Sequence, residues 1–250
     1  MTSFNGLKPV FERDGFVVVR RFLVGNAFDE LSRNLERYIR EVVPELPGKA
    51  AFYQDPERPE TLKQLQAMDV DPYFREYMKH PQWCALAEGL IGHPVSCSAP
   101  EWFSKPPQTQ HPTPPHQDNY YFCLEPPDVL TIWLALETIN DENGCLRYVP
   151  GSHRLGIRDH QVTDVLGFSQ SISDYSQQDV EREVPVHLEA GDVVVHHGNT
   201  IHRAEANPST RHRPAFAMVF RADHCIRDEV AFERYAKSSD SQQSSLGVDE

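Results

Sequence analysis

The chain has 250 residues, 39% of them hydrophobic and 24% charged, the balance of an ordinary globular protein long enough to bury a real core. Lys and Arg number 24 against 37 Asp and Glu, and the net charge of −13 argues against nucleic acid or an anionic membrane as partner. The five cysteines (Cys84, Cys97, Cys123, Cys145 and Cys225) are widely spaced with no Cys-x-x-Cys pair, so neither a disulfide framework nor a zinc knuckle is indicated. Residues 1–8 carry no apolar signal core, and no apolar run is long enough to cross a bilayer; the simplest compartment is a reducing cytoplasm.

Taken in order, Asp14-Gly15 is a turn signal, and Phe16-Val17-Val18-Val19 behind it reads as a strand. Phe28, Leu31, Leu35, Tyr38, Ile39 and Val42 recur at three- and four-residue spacing, which predicts a helix with Asn26 as N-cap and Pro44 as its stop. Residues 45–60 are polar and proline-rich and read as loop. Further helices are predicted over 61–68 and 72–90, which makes the N-terminal third, to about residue 93, mainly helical.

From Val95 the period changes from 3.6 to 2. Strand signatures cover 95–104, 116–123, 129–139, 146–149, 184–188, 192–197 and 213–222, with turns at Glu125-Pro126-Pro127, Asn140 to Gly144, Pro150-Gly151 and Ala190-Gly191. Leu130, Ile132, Leu134 and Leu136 alternate with Thr131, Trp133, Ala135 and Glu137, giving that strand two distinct faces. Many short strands after a helical third predict a mainly β fold, an antiparallel barrel or jelly roll with helices outside it. Residues 154–183 interrupt the strands and read as a lid or binding loop. The domain is expected to end near 237, and 238–250, rich in Ser, Gln and Asp, reads as a disordered tail.

The chemistry centres on His116-Gln117-Asp118. On a strand, residues two apart project from one face, so an imidazole and a carboxylate would stand side by side. That is two-thirds of the 2-His-1-carboxylate facial triad that holds Fe(II) and leaves one side open. In a chain with 12 His, one such tripeptide also arises by chance, so a second His must come from elsewhere. His196, His197 and His202 are the candidates, and the residues alone do not choose between His197 and His202. Arg213, eleven residues beyond His202, opens an apolar strand. If that strand lines a barrel, its guanidinium can grip a carboxylate in bidentate fashion.

These segments together resemble the phytanoyl-CoA dioxygenase family of Fe(II)/2-oxoglutarate oxygenases. The matching residues are Asp14 to Val19, His116-Gln117-Asp118, Trp133 to Leu136, Glu142 to Leu146, Pro150 to His153, Gly191-Asp192-Val193, and His202 with Asn207 and Arg213, in that order over about residues 10–225. The resemblance implies a double-stranded β-helix (cupin-like) with Fe(II) held by His116, Asp118 and His202. It further implies Arg213 on the distal carboxylate of 2-oxoglutarate, Trp133 lining the cosubstrate pocket, and Lys63 where some relatives place a cosubstrate-binding lysine. Relatives often carry a Ser two residues after the second iron His. This chain has Ala204 there, so the lost hydrogen bond must come from elsewhere, with Thr131 the candidate. A carboxylate at 118 argues against halogenation, because halogenating relatives have a small residue at that position.

The expected activity is hydroxylation of an unactivated C–H of a small polar or amphipathic metabolite, using O2 and releasing succinate. Gln117, Asn119, Tyr120, Tyr121 and Phe122 are the candidate substrate contacts, and no dedicated basic site for CoA phosphates stands out beyond Arg154 and Arg158. The rival from another class is a metal-binding sensor or binding protein of cupin type, which has no need of Arg213. Oligomeric state is not legible.

Overall fold

The computed structural model describes residues 4, 6–46, 50–163 and 169–245. Its strands are, in chain order, β1 (Phe16–Val19), β2 (Ala51–Tyr53), β3 (Leu62–Leu65), β4 (Val95–Cys97), β5 (Glu101–Lys105), β6 (Thr113–His116), β7 (Leu124–Glu125) and β8 (Val129–Ala135). They continue with β9 (Leu146–Tyr148), β10 (His160–Val162), β11 (Gln170–Ile172), β12 (Val184–Val186), β13 (Val193–His197), β14 (His202–Ala204), β15 (Arg213–Ala222) and β16 (Ile226–Arg227). The helices are α1 (Lys8–Asp14), α2 (Asn26–Arg37), α3 (Pro72–Tyr77), α4 (Pro81–Ile91), α5 (Asn119–Phe122), α6 (Gln177–Glu181) and α7 (Glu229–Ser245).

A large antiparallel sheet runs β1-β13-β8-β15-β5-β3-β2, with β4 also on β15, and a smaller one runs β12-β9-β14-β6. Alternation decides what each face of the large sheet meets. Leu130, Ile132 and Leu134 of β8 and Phe216, Met218 and Phe220 of β15 pack outward in one cluster with Leu31, Leu35, Phe74 and Trp83 of the helices. Trp133, Ala135, Val194, Ala215 and Ala217 point the other way and meet Leu146, Tyr148, Val186 and Ala204 of the small sheet. Two sheets sharing an inner face, with helices on one outer face, are the predicted jelly roll. Burying each large apolar side chain stabilises this arrangement by about 1.5–3 kcal/mol. The Asn140 to Gly144 turn also holds: Gly144 sits at φ +79, and a Cβ there would lie 2.5 Å from the Glu205 carbonyl oxygen.

Several expectations are corrected. Residues 61–68 do not form a helix; β3 pairs with both β2 and β5, because Leu62 and Leu65 are as well buried on a sheet edge as on a helix. The N-terminal third therefore supplies three strands of the large sheet as well as helices. The helix over 72–90 is broken into α3 and α4 because Pro81 has no N–H and His80 before it is extended (φ −59, ψ 121). Helix α2 is preceded by Gly25 as its cap residue, without a side-chain capping bond from Asn26. The segment 154–183 is not structureless: β10 pairs with β11 and α6 carries a capping box from Ser176 and Asp179, while residues 164–168 lie outside the described ones.

The strand expected over 116–123 ends at His116, and the chain turns into α5. Asn119 fixes that turn by accepting from Leu124 N–H and donating to its carbonyl. The tail expected from 238 is helical to Ser245, docked where Gln170 Nε2 donates to Ser238 Oγ and Gln242 Nε2 donates to the Thr163 carbonyl. Residues 246–250 lie outside the described ones. Polar composition misled here because the docking is through amides and hydroxyls rather than apolar side chains.

Candidate active site

His116 and His202 end and begin their strands directly opposite each other in the β14–β6 register. Their rings lie 4.2 Å apart between centroids. In each, the Nδ1 faces a backbone carbonyl, Pro114 O at 2.8 Å for His116 and Thr200 O at 3.0 Å for His202. A carbonyl only accepts, so in the neutral ring Nδ1 carries the proton and Nε2 turns its lone pair toward Asp118. Both Nε2 atoms face Oδ1 of Asp118 at 3.5 Å. Asp118 reaches this point as the residue that precedes α5, rather than from a strand face. Its other oxygen is held from behind, accepting from Thr131 Oγ1–H at 2.7 Å and from His196 Nε2 at 2.9 Å.

This is a His-Asp-His cluster with donor atoms within 4.8 Å of one another, the set a divalent iron takes. Burial opposes ionisation of Asp118, yet the surrounding imidazoles of His202, His116 and His196 hold its carboxyl well below the usual range. Burial, followed by the charge of His116, also pushes the His202 imidazole well down, which favours the neutral form a metal needs. Of the two histidines left open, it is His202 that lies beside His116 and Asp118. His197 points out of the sheet toward Phe11 and His153, with its Nδ1 accepting from Asn199 N–H.

Arg213 lies on the inner face of β15, 4% exposed, with its Cζ 5.2 Å from the centre of the Trp133 ring. Its Nε and Nη1 are buried without a hydrogen-bond partner among the described residues. Burial lowers its pKa to about 10, so the guanidinium stays charged. An unpaired buried guanidinium is costly unless an anion completes it. Lys63, on β3 rather than on a helix, lines the same small cavity as Arg213, Lys105 and His111, and burial pushes its pKa down to about 8. The Arg213 and Lys63 cations lining one cavity fit a dicarboxylate such as 2-oxoglutarate.

That cavity shares Gln64 and Phe103 with a larger one of about 470 Å³, onto which His116, Asp118 and Thr131 open. Of the expected substrate contacts, Tyr121 and Phe122 line the larger cavity, while Gln117 and Asn119 are buried in backbone hydrogen bonds and Tyr120 stacks on His160. Thr131, the candidate replacement for the missing Ser, spends its proton on Asp118, and Ala204 is buried in the inner core. Sequence reading did not find Glu101 and Gln64 in the cavity wall, nor Tyr148, whose hydroxyl lies 2.9 Å from His196 Nδ1. The signal for His196 was present in the β13 alternation, which places it inward with Val194.

The model of the family described as Phytanoyl-CoA dioxygenase (PhyH) matches residues 11–215. The chain belongs to that family. A rice protein named Phytanoyl-CoA dioxygenase 1 is 31% identical over 152 residues, covering 60% of this chain and 53% of the rice protein. The human protein named Phytanoyl-CoA dioxygenase, peroxisomal, is 25% identical over 232 residues, covering 87% of this chain and 68% of the human one. The chain thus spans about half the length of the rice relative. Among solved structures, the epimerase SnoN, crystallised with Fe3+, alpha ketoglutarate and nogalamycin RO, superposes with a TM-score of 0.71 at 25% identity, covering 89% of this chain and 84% of that one. This family member, like SnoN, has a mostly β jelly roll of the iron/2-oxoglutarate type. Among its described residues, no helix is long and apolar enough to cross a membrane.

Proposed function

We propose that this protein is an Fe(II)/2-oxoglutarate-dependent dioxygenase that hydroxylates an unactivated C–H of a small metabolite. His116, Asp118 and His202 hold the metal, and Arg213, with Lys63 and Trp133 beside it, holds the distal carboxylate of 2-oxoglutarate. When bound, iron, 2-oxoglutarate and O2 supply the oxidation: one oxygen atom goes to the substrate and the other to succinate, with release of carbon dioxide. The observation that carries this reading is the buried, half-unpaired guanidinium of Arg213, in a cavity that shares Gln64 and Phe103 with the one onto which His116 and Asp118 open. A metal-binding sensor has no use for a cation kept dry at such cost.

The chain's own residues position and insulate. Thr131 and His196 fix the outer oxygen of Asp118, so that the inner one faces both histidines. The small side chain of Ala217 lines the larger cavity with His116, Asp118 and Thr131. Tyr235 and Gln242 of α7 line the larger cavity and narrow its access to water.

The substrate is read as a small molecule rather than a CoA ester. Among the described residues lining the larger cavity there is no Lys or Arg to meet a phosphate, and Arg158 is engaged by Asp174 and Asp179 at 2.7 and 3.0 Å. All five cysteines are free, in keeping with a reducing compartment such as the cytoplasm. Succinate release from 2-oxoglutarate, measured on a metabolite panel with product masses, tests the proposal. Succinate coupled to a product heavier by one oxygen supports hydroxylation, and metal binding without any 2-oxoglutarate consumption returns the protein to the sensor class.

A further inference from the structure

Two acceptors in the wall of the larger cavity are assigned neither to the metal nor to the cosubstrate above, although one of them, Gln64, also lines the small cavity. Glu101 stands on the inner face of β5, partly exposed to the cavity and otherwise enclosed by protein. Gln64 on β3 is 4% exposed and donates Nε2–H to Glu101 Oε2 at 3.5 Å, the outer limit of a hydrogen bond. Its Oε1 is buried without a partner among the described residues. Burial, and then the charge of Asp118, push the Glu101 carboxyl up to about 7. A desolvated carboxylate beside an unsatisfied carbonyl oxygen lacks N–H donors and a positive charge.

The surroundings supply neither. The cations nearby, Lys63, Lys105 and Arg213, line the neighbouring small cavity, and none lines this one among the described residues. The walls do supply aromatic rings: Phe52, Phe103, Tyr121, Phe122 and Tyr235. Aromatic faces attract a cation and tolerate an alkyl chain. A carboxylate substrate would meet Glu101 and Asp118 with like charge.

We propose that the larger cavity is a receptor for a protonated primary or secondary amine, whose N–H groups donate to Glu101 and Gln64 while its carbon skeleton lies among the aromatic side chains. This deepens the oxygenase reading and rests on it in taking the cavity for the substrate site. Glu101 is a specificity residue in this scheme, set apart from the chemistry. In the sheet, β15 lies between β5 and β8, so the strands carrying Glu101 and Thr131 are about 10 Å apart. The C–H presented to the metal is therefore several bonds from the amine.

The test uses the full chain loaded anaerobically with Fe(II) and 2-oxoglutarate, and three probes of one shape: n-pentylammonium, n-pentanol and pentanoate. Affinity is read by calorimetry and by the change each causes in the visible metal-to-2-oxoglutarate band. The ammonium is expected to bind at least tenfold more tightly than the alcohol and the carboxylate, and Glu101→Gln, the same size without the charge, to erase that preference. Equal binding of all three, or preference for pentanoate, overturns the proposal in the wild-type protein alone. Unchanged ammonium preference in Glu101→Gln also overturns it, as does a parallel loss of 2-oxoglutarate affinity, which would assign Glu101 to the cosubstrate site. Absence of the band in wild type contradicts the oxygenase reading instead. Calorimetry still decides the amine preference in that case, so the two failures are distinguishable.

Discussion

Nε2 of His196 lies 2.9 Å from Oδ2 of Asp118, and the opposite ring nitrogen lies 2.9 Å from the Tyr148 hydroxyl. With the imidazole neutral, the relay has one self-consistent arrangement: Tyr148 donates its O–H to Nδ1, and Nε2–H donates to the carboxylate. It links both sheets to the outer oxygen of Asp118, the proposed metal ligand. Replacing His196 with Phe keeps the volume and removes the bond, leaving Thr131 alone to orient Asp118. Fe(II) affinity is expected to fall by about 10–100-fold, the usual effect of losing such support. Anaerobic metal competition checks this, and affinity within twofold of wild type would deny the relay its role.

Arg213 gives an opposite sign for stability and function. Two charge-assisted hydrogen bonds of about 1.5–3 kcal/mol each amount to at least 10²-fold in 2-oxoglutarate affinity, which Arg213→Met should lose. The same substitution removes a buried cation whose Nε and Nη1 have no partner. Without cosubstrate, the variant should melt at or above the wild-type temperature, while the rise in Tm on adding 2-oxoglutarate disappears. Thermal scans with and without 2-oxoglutarate separate the two effects; a variant that melts lower in both and still shifts with 2-oxoglutarate contradicts this assignment.

Lys63 carries a pH signature. Burial lowers its pKa to about 8, so it is mostly protonated at pH 7 and mostly neutral at pH 9. A dicarboxylate binds better to the charged form, so 2-oxoglutarate affinity should be flat below about pH 8 and fall above it. Lys105 and Arg213 share the cavity; burial pushes Lys105 well down, while Arg213 at about 10 keeps its charge across this window. The folded-state pKa of Lys63 is depressed, so the unfolded chain binds the extra proton, and apo stability should rise between about pH 8 and 10. Lys63→Met should flatten the affinity profile and reduce the alkaline rise in stability, Lys105 supplying the rise that remains; an unaltered alkaline fall in affinity would assign it to another group.

Strand alternation, which is local and periodic, put Thr131 and Trp133 on one face of their strand; that this face is the inner one, and that Arg213 shares it, was implied only by the family resemblance. The two histidines and the carboxylate were legible through motif order. What escaped notice depended on contacts far along the chain. Asp118 was expected on a strand face, but Asn119 closes a turn with Leu124 that re-aims it. Residues 61–68 have apolar spacing that suits a helix, and only the free edge of β5 makes Leu62–Leu65 a strand. Glu101 looked like any charged residue at a strand start until Gln64, 37 positions earlier, was seen beside it.

Helix α7 was hidden for a related reason. Its residues beyond Lys237 are polar, yet Gln242 is 4% exposed and bonded to the Thr163 carbonyl. Backbone amides of 233–242 should exchange with solvent more slowly than those of an unstructured tail, and Gln242→Ala should speed them. Exchange at the random-coil rate in wild type would restore the disordered reading.

The central claim is an iron site that chelates 2-oxoglutarate, and an anaerobic visible spectrum addresses it most directly. Adding Fe(II) and then 2-oxoglutarate to the purified protein should produce a metal-to-ligand charge-transfer band that is absent with succinate. His202→Ala should abolish that band, and Arg213→Met should demand far more 2-oxoglutarate to reach it. No band in the wild-type protein, or a band undiminished in His202→Ala, would contradict the assignment of His116, Asp118 and His202 as the metal centre.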